Sequence, residues 1–241
     1  MVKINKIKTK IYADGASLKD FKKFRSNNLI SGFTTNPSLM RKAGVKDYED
    51  FAKKVCKIIL KKPISFEIFA DNKKEIDLQA RTIAKWGKNV FVKIPIINTR
   101  NISNSKLIGD LNKEGIKINV TAVFTIEQSK LLLKEIGKKT ELILSVFAGR
   151  IADTGVDPVH EIKKHIKLFK NYKNVKILWA SVRENYNIIE SSKSKCHIIT
   201  VPSNILSKLN QFNKNLNKFS IETVKGFYND AKKSKFKIKT N

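Results

Sequence analysis

The sequence predicts a (β/α)8 TIM barrel with an additional C-terminal helix, and three observations carry that expectation. Apolar strand-like runs alternate with helical patterns eight times, the order of a sheet covered by helices. The fourth run, residues 89–95, is apolar on both sides of a lysine, as in a strand buried inside a parallel sheet. No linker, low-complexity segment or short-period repeat interrupts the chain, so residues 1–241 read as one domain. A doubly wound open sheet is the alternative.

In order, residues 10–14 form the first strand, and Ser17 with Asp20 gives a capping-box signal for a helix carrying Leu18, Phe21 and Phe24. The second strand falls at 29–33, followed by a helix from Asp47 with Tyr48, Phe51, Val55 and Ile58 or Ile59 on one face. The third, 64–69, precedes a helix through Ile76, Ala80 and Ile83. After the fourth strand come a polar loop, 98–105, and a short helix through Leu107 and Leu111. The fifth strand is 116–123, with Thr125 and Gln128 capping the next helix; the sixth is 140–147. Asp157 and Pro158 open a helix with Val159, Ile162, Ile166 and Phe169. The seventh strand is 175–181 and the eighth 196–202; Ser203 and Ser220 open the last two helices, residues 220–233 being the extra one. That helix lies beyond the eighth unit, where it covers a barrel mouth or reaches a neighbouring subunit.

Composition bounds the function. A net charge of +28 suits nucleic acid, a membrane surface or anionic substrates, but there are six arginines against 43 scattered lysines. Arginine is the residue for bidentate phosphate and base contacts, so the balance is read as compositional bias and no nucleic-acid partner is expected. No apolar run approaches membrane-spanning length, the N-terminus lacks a signal-peptide core, and Cys56 and Cys196 make no disulfide framework. A cytoplasmic protein is expected. His160, His165 and His197 show no metal-ligand spacing, the first two reading as solvated; no glycine fingerprint is present, so neither metal nor cofactor is expected. Cys56, Cys196, Trp86 and Trp179 read as packing residues.

Lys93 is the unusual residue. Burial of an ammonium favours the neutral amine, a nucleophile suited to Schiff-base formation with a carbonyl; the competing reading is a lysine that snorkels from a strand end. In a barrel, chemistry gathers at the C-terminal strand ends. Those ends carry Asp14, then Thr34, Thr35 and Asn36, then Glu67, Lys93, Asn119 and Thr121, Ser145 with Phe147 and Arg150, and Ser181 with Arg183.

These segments resemble the transaldolase family, class I Schiff-base enzymes on a (β/α)8 barrel. The resemblance is carried by GFTTNPSLM at 32–40, VKIP at 92–95, NVTAVFTIEQ at 119–128, SVFAGRIAD at 145–153 and WASVRE at 179–184. It implies that Lys93 forms an imine with a ketose carbonyl, that Asp14 is the general base, and that Glu67 and Thr121 hold a water for proton transfer. It further implies that Asn36, Asn119 and Ser145 orient the dihydroxyacetone unit and that Arg150, Ser181 and Arg183 bind phosphate. The implied reaction moves that unit from sedoheptulose 7-phosphate or fructose 6-phosphate to glyceraldehyde 3-phosphate or erythrose 4-phosphate, in the pentose phosphate pathway. Related aldolases that cleave fructose 6-phosphate tend to have Gln at the third-strand position and Tyr at the sixth-strand aromatic. Glu67 and Phe147 stand there in this chain and favour transfer. The loop after Lys93 departs from the family pattern and leaves the donor open, a modified-sugar aldolase included. A non-catalytic RNA-binding protein is the alternative of another class. The shorter members of the family assemble into rings, so a homo-oligomer is expected.

Overall fold

A computed structural model describes residues 7–240; residues 1–6 and 241, which the one-domain reading also covers, lie outside the described residues. Eight parallel strands close into a barrel in sequence order: β1 (Lys10–Asp14), β2 (Ile30–Thr34), β3 (Ile64–Glu67), β4 (Val90–Pro95), β5 (Ile118–Val123), β6 (Leu142–Val146), β7 (Val175–Trp179) and β8 (Ile198–Pro202). β1 pairs with both β2 and β8, which closes the sheet and excludes the open alternative.

Strand alternation separates two environments. Ile11 and Ala13, Ile64 and Phe66, Val92 and Ile94, Leu142 and Leu144, Ile177 and Trp179 belong to the core shared with the helices. The intervening residues point into the barrel. There Tyr12, Phe91, Ile143, Leu178 and Ile198 form a separate apolar plug. Gly32 makes room for it, because a Cβ there would lie 2.5 Å from the Tyr12 ring. Two residues further on from each of these five stand Asp14, Lys93, Ser145, Ala180 and Thr200, of which Ala180, just past the end of β7, still packs with the plug. A two-residue step rises about 6.6 Å, so one turn of the pleat carries the interior from a dry floor to a polar chamber.

Helices α1 (Leu18–Phe24), α2 (Pro37–Lys42), α3 (Tyr48–Ile58), α4 (Lys73–Ala84), α5 (Ser105–Lys113), α6 (Ile126–Leu133), α7 (Ala148–Asp153), α8 (Pro158–Leu168), α9 (Tyr186–Lys193) and α10 (Ser203–Leu206) follow the strands. The expected capping box of Thr125 and Gln128 is formed, and Asp157 caps α8 with Pro158 in its first turn. The box expected at Ser17 is not: Ser17 makes no side-chain cap, and Asp20 instead accepts a 2.9 Å hydrogen bond from Ser203 across the barrel end. Short helices α2 and α7 are additions to the expected set, each only six residues and too short to show a period.

Two further expectations are corrected. His165 is not solvated: it is fully buried, its Nδ1 2.9 Å from Ser129 Oγ, which joins α8 to α6. The final helix, α11 (Leu216–Ser234), begins four residues before Ser220, because Asn215 provides the cap by accepting from the Lys218 N–H. No residue of α11 is buried; Leu216, Phe219, Ile221, Val224, Phe227 and Tyr228 are all exposed. Among the described residues no helix is long and apolar enough to cross a membrane.

Candidate active site

A cavity of about 420 Å³ opens above the plug; its lining includes Asp14, Asn36, Glu67, Lys93, Thr121, Ser145, Phe147, Arg150 and Ser181, together with Thr34, Ala180 and Thr200. A larger cavity of about 800 Å³ opens at the opposite mouth, beneath the plug. Size does not make that one the site: its carboxylate, Glu141, is already paired with Lys117 at 3.0 Å, whereas the smaller chamber joins a buried amine to carboxylates.

Lys93 is 8% exposed. The sequence portrays an amine in apolar surroundings, but barrel closure brings Glu67 beside it from the neighbouring strand. Lys93 Nζ lies 2.9 Å from Glu67 Oε2 and donates at 3.1 Å to the Thr35 carbonyl. Thr35 is held in turn by its hydroxyl and N–H, both donating to the Ser65 carbonyl. The lysine therefore sits in a fixed frame rather than snorkelling outward.

Asp14 is half-buried across the chamber, and Thr34 Oγ1 donates to its Oδ1 at 2.7 Å. Asn36 approaches Oδ2 with its amide nitrogen at 3.4 Å while its carbonyl oxygen caps α2. Burial pushes the Asp14 carboxyl above the usual carboxylate range. Lys93 and the Thr34 hydroxyl oppose that rise; Glu67 adds to it, and the Asn36 amide again opposes it.

A second polar frame lies between β3, β5 and β6. Asn119 donates to Ser65 Oγ at 3.0 Å and accepts from Ser145 Oγ at 2.7 Å. Asn119 thus stands behind the cavity wall and orients Ser145, which does line it. Thr121 is brought into the wall by a break in the β5–β6 register, where Ala122 has φ 55°. Its Oγ1 is buried and makes no hydrogen bond with the described residues.

At the rim, the Arg150 guanidinium carbon lies 5.3 Å from the centre of the Phe147 ring. Ser181 adopts φ 64°, and its carbonyl crosses so close to α7 that a Cβ on Gly149 would come within 1.6 Å of the oxygen. Arg183, expected with the phosphate group, is not in the cavity wall; it is exposed and paired with Asp153. Thr200, the Thr35 carbonyl, Ser65 and Gly149 were not singled out as site residues by the sequence. The strand alternation could have found Thr200, two residues past Ile198; Gly149 matters through a backbone approach that leaves no sequence signal.

Fold and site together define a barrel enzyme built around a buried lysine–carboxylate pair beneath a polar, solvent-open chamber. A family model described as Transaldolase/Fructose-6-phosphate aldolase matches residues 11–240, and the chain belongs to that family. A probable transaldolase of Caldicellulosiruptor saccharolyticus is 35% identical over 202 residues, covering 83% of this chain and 88% of the relative. One from Methanococcus vannielii is 34% identical over 214 residues, covering 88% and 94%. The crystal structure of KGPDC from Streptococcus mutans superimposes with a TM-score of 0.55 at 12% identity, covering 84% of this chain and 91% of that one, which is a likeness of fold alone.

Proposed function

We propose that the protein is a transaldolase that moves a dihydroxyacetone unit between sugar phosphates through an imine on Lys93. The observation that carries this reading is the buried Lys93–Glu67 pair facing Asp14 across a cavity of about 420 Å³. Attack on a ketose carbonyl requires Lys93 to release a proton, and Glu67 is the group within reach to take it. The carbonyl oxygen then leaves as water, with Glu67 and the Thr121 hydroxyl placed to hold the water and pass the protons.

In the next step Asp14 takes the proton from the sugar hydroxyl. That O–H electron pair becomes the new carbonyl, the adjacent carbon–carbon bond breaks, and its electrons pass to the iminium nitrogen. The three-carbon enamine stays on Lys93 and adds to an aldehyde by the reverse sequence. Ser145, whose proton is committed to Asn119, offers lone pairs to a substrate hydroxyl. The Asn36 amide and Ser145 orient the three-carbon unit. Arg150 and Ser181 bind the distal phosphate, and Arg183 reaches it by exchanging Asp153 for the anion. Phe147 offers no hydroxyl to protonate the enamine, which favours transfer over simple cleavage. Fructose 6-phosphate or sedoheptulose 7-phosphate is the donor and glyceraldehyde 3-phosphate or erythrose 4-phosphate the acceptor; no metal or cofactor takes part.

The protein also works as a homo-oligomer in this proposal, with α11 docking on a second copy. An isolated helix of 19 residues gains little stability in water without burying a face, and this one buries none. A second copy is the partner available to every molecule, and its wall exposes Phe69 and Leu78 around the β3–α4 connection.

Borohydride trapping with fructose 6-phosphate, followed by peptide mapping, tests the chemistry. A three-carbon adduct on Lys93, absent from Lys93→Met, is the expected result; no adduct with any ketose phosphate would refute it.

A further inference from the structure

Within the reading of Asp14 as general base, the geometry points to Thr200 as a positioning residue that, through Thr34, determines which oxygen of Asp14 takes the proton. Thr200 Oγ1 of β8 and Thr34 Oγ1 of β2, the two strands that flank β1, are hydrogen-bonded to each other, and Thr34 Oγ1 donates to Asp14 Oδ1 at 2.7 Å. Thr34 has one hydroxyl proton. With that proton given to the carboxylate, Thr34 can only accept from Thr200, so the chain runs from Thr200 to Thr34 to Oδ1. The reverse arrangement would put a proton on Oδ1 and leave the Thr200 hydroxyl proton without an acceptor among the described residues, a costly state for a group only 6% exposed.

The consequence concerns proton traffic. Oδ1 is kept as an acceptor by two aligned hydroxyls, each polarising the next. Oδ2 has only the long 3.4 Å approach of the Asn36 amide, and it is therefore the atom that receives the proton of the sugar hydroxyl. The other groups that bear on Asp14 do not select between its oxygens. Lys93 from β4 and Glu67 from β3 act through their charges, and Asp20 from α1, near the outer side of the same strand end, is bound by Ser203. Thr200 is fixed by the sheet: its strand pairs with β1 in an unbroken register that sets Thr200 beside Tyr12, one pleat below Asp14. A valine would keep that packing and lose only the hydroxyl.

The test is the pH profile of turnover for Thr200→Val and Thr200→Ser, together with the trapped adduct. Without Thr200 the Thr34 hydroxyl still reaches Oδ1 but is neither oriented nor polarised by a second donor, so it stabilises the carboxylate less and the acid limb of kcat/KM should move to higher pH in Thr200→Val. On that limb kcat should fall about threefold with KM little changed, the effect of losing one hydroxyl–hydroxyl hydrogen bond that supports the charged group only through Thr34. Borohydride should still capture an imine on Lys93, but the adduct should shift from the three-carbon fragment toward the intact six-carbon donor, because cleavage and not imine formation is slowed. Thr200→Ser should restore both. A Thr200→Cys variant, with a weaker donor of similar size, should show the same effects in smaller measure and serves if the valine variant folds poorly. An acid limb and adduct ratio unchanged in Thr200→Val, while Asp14→Asn abolishes cleavage, would overturn the role of Thr200 alone. Full cleavage by Asp14→Asn would instead overturn the reading of Asp14 as base.

Discussion

Gly149 lies outside the proposed catalytic set, yet its close backbone contact holds two lining residues of the cavity, Arg150 and Ser181, in place. The Ser181 carbonyl lies where its Cβ would be, at 1.6 Å, and this contact is backbone that cannot rotate away. Gly149→Ala must push α7 from the β7–α9 turn, displacing Arg150 on one side and Ser181 on the other. We expect a loss of about 3 kcal/mol in stability, and a rise in KM for phosphorylated sugars larger than the fall in kcat. Gly226→Ala is the control: the added Cβ meets nothing within 4 Å in the middle of α11, so it should be neutral or slightly stabilising. Equal melting temperatures and equal KM for wild type and Gly149→Ala would sink the argument. Lys93, by comparison, was visible at once, because a lysine within an apolar strand breaks its own surroundings.

At the scale of elements, α6 and α8 are joined by a polar contact inside an apolar interface. His165 comes from α8 and Ser129 from α6, and both are fully buried. Burial lowers the His165 pKa to about 4, with Glu161 and Glu127 opposing the fall. The folded value lies below the unfolded one near 6.5, so the unfolded chain binds the proton first as pH falls. Stability from this group is complete above about pH 6.5 and is lost progressively down to about pH 4, a change of up to about 3 kcal/mol. Urea unfolding at pH 7 and pH 4.5 should show the loss, and His165→Gln should flatten it. A variant with the wild-type pH dependence would show that other groups are responsible. The sequence missed this contact since a histidine in a lysine-rich helix looks the same whether it faces solvent or a neighbouring serine. It likewise misplaced the Asp20 bond, which connects residues 183 positions apart.

For the whole molecule the decisive feature is the arm formed by α11. Its exposed Leu216, Phe219, Val224, Phe227 and Tyr228 are joined further along the chain by Phe236 and Ile238, an apolar surface unusual for a free monomer. Sedimentation or light scattering should find an oligomer, and Phe227→Asp should lower its order at a given concentration. A monomeric wild-type protein would rule out the docking of α11 on a second copy. The net charge of +28 makes copies repel one another, so association should strengthen with salt up to physiological ionic strength. If α11 instead closed over its own barrel, assembly would not respond to the variant.

The sequence by itself determined the repeating strand–helix order and the strand ends on which polar residues fall, because these rest on local periodicity and capping that a short window contains, while closure into a barrel came from the β1–β8 pairing. It also singled out Lys93, Asp14 and Glu67, on separate strands, as the candidates for reactive chemistry. The tertiary structure alone decided how those residues are partnered. Closing the sheet set Glu67 beside Lys93, linked Thr200 to Asp14 through Thr34, placed Asn119 behind Ser145, and turned Arg183 toward Asp153. Such contacts join residues far apart in the chain through side-chain direction and barrel stagger, and neither quantity is written in any local stretch of sequence.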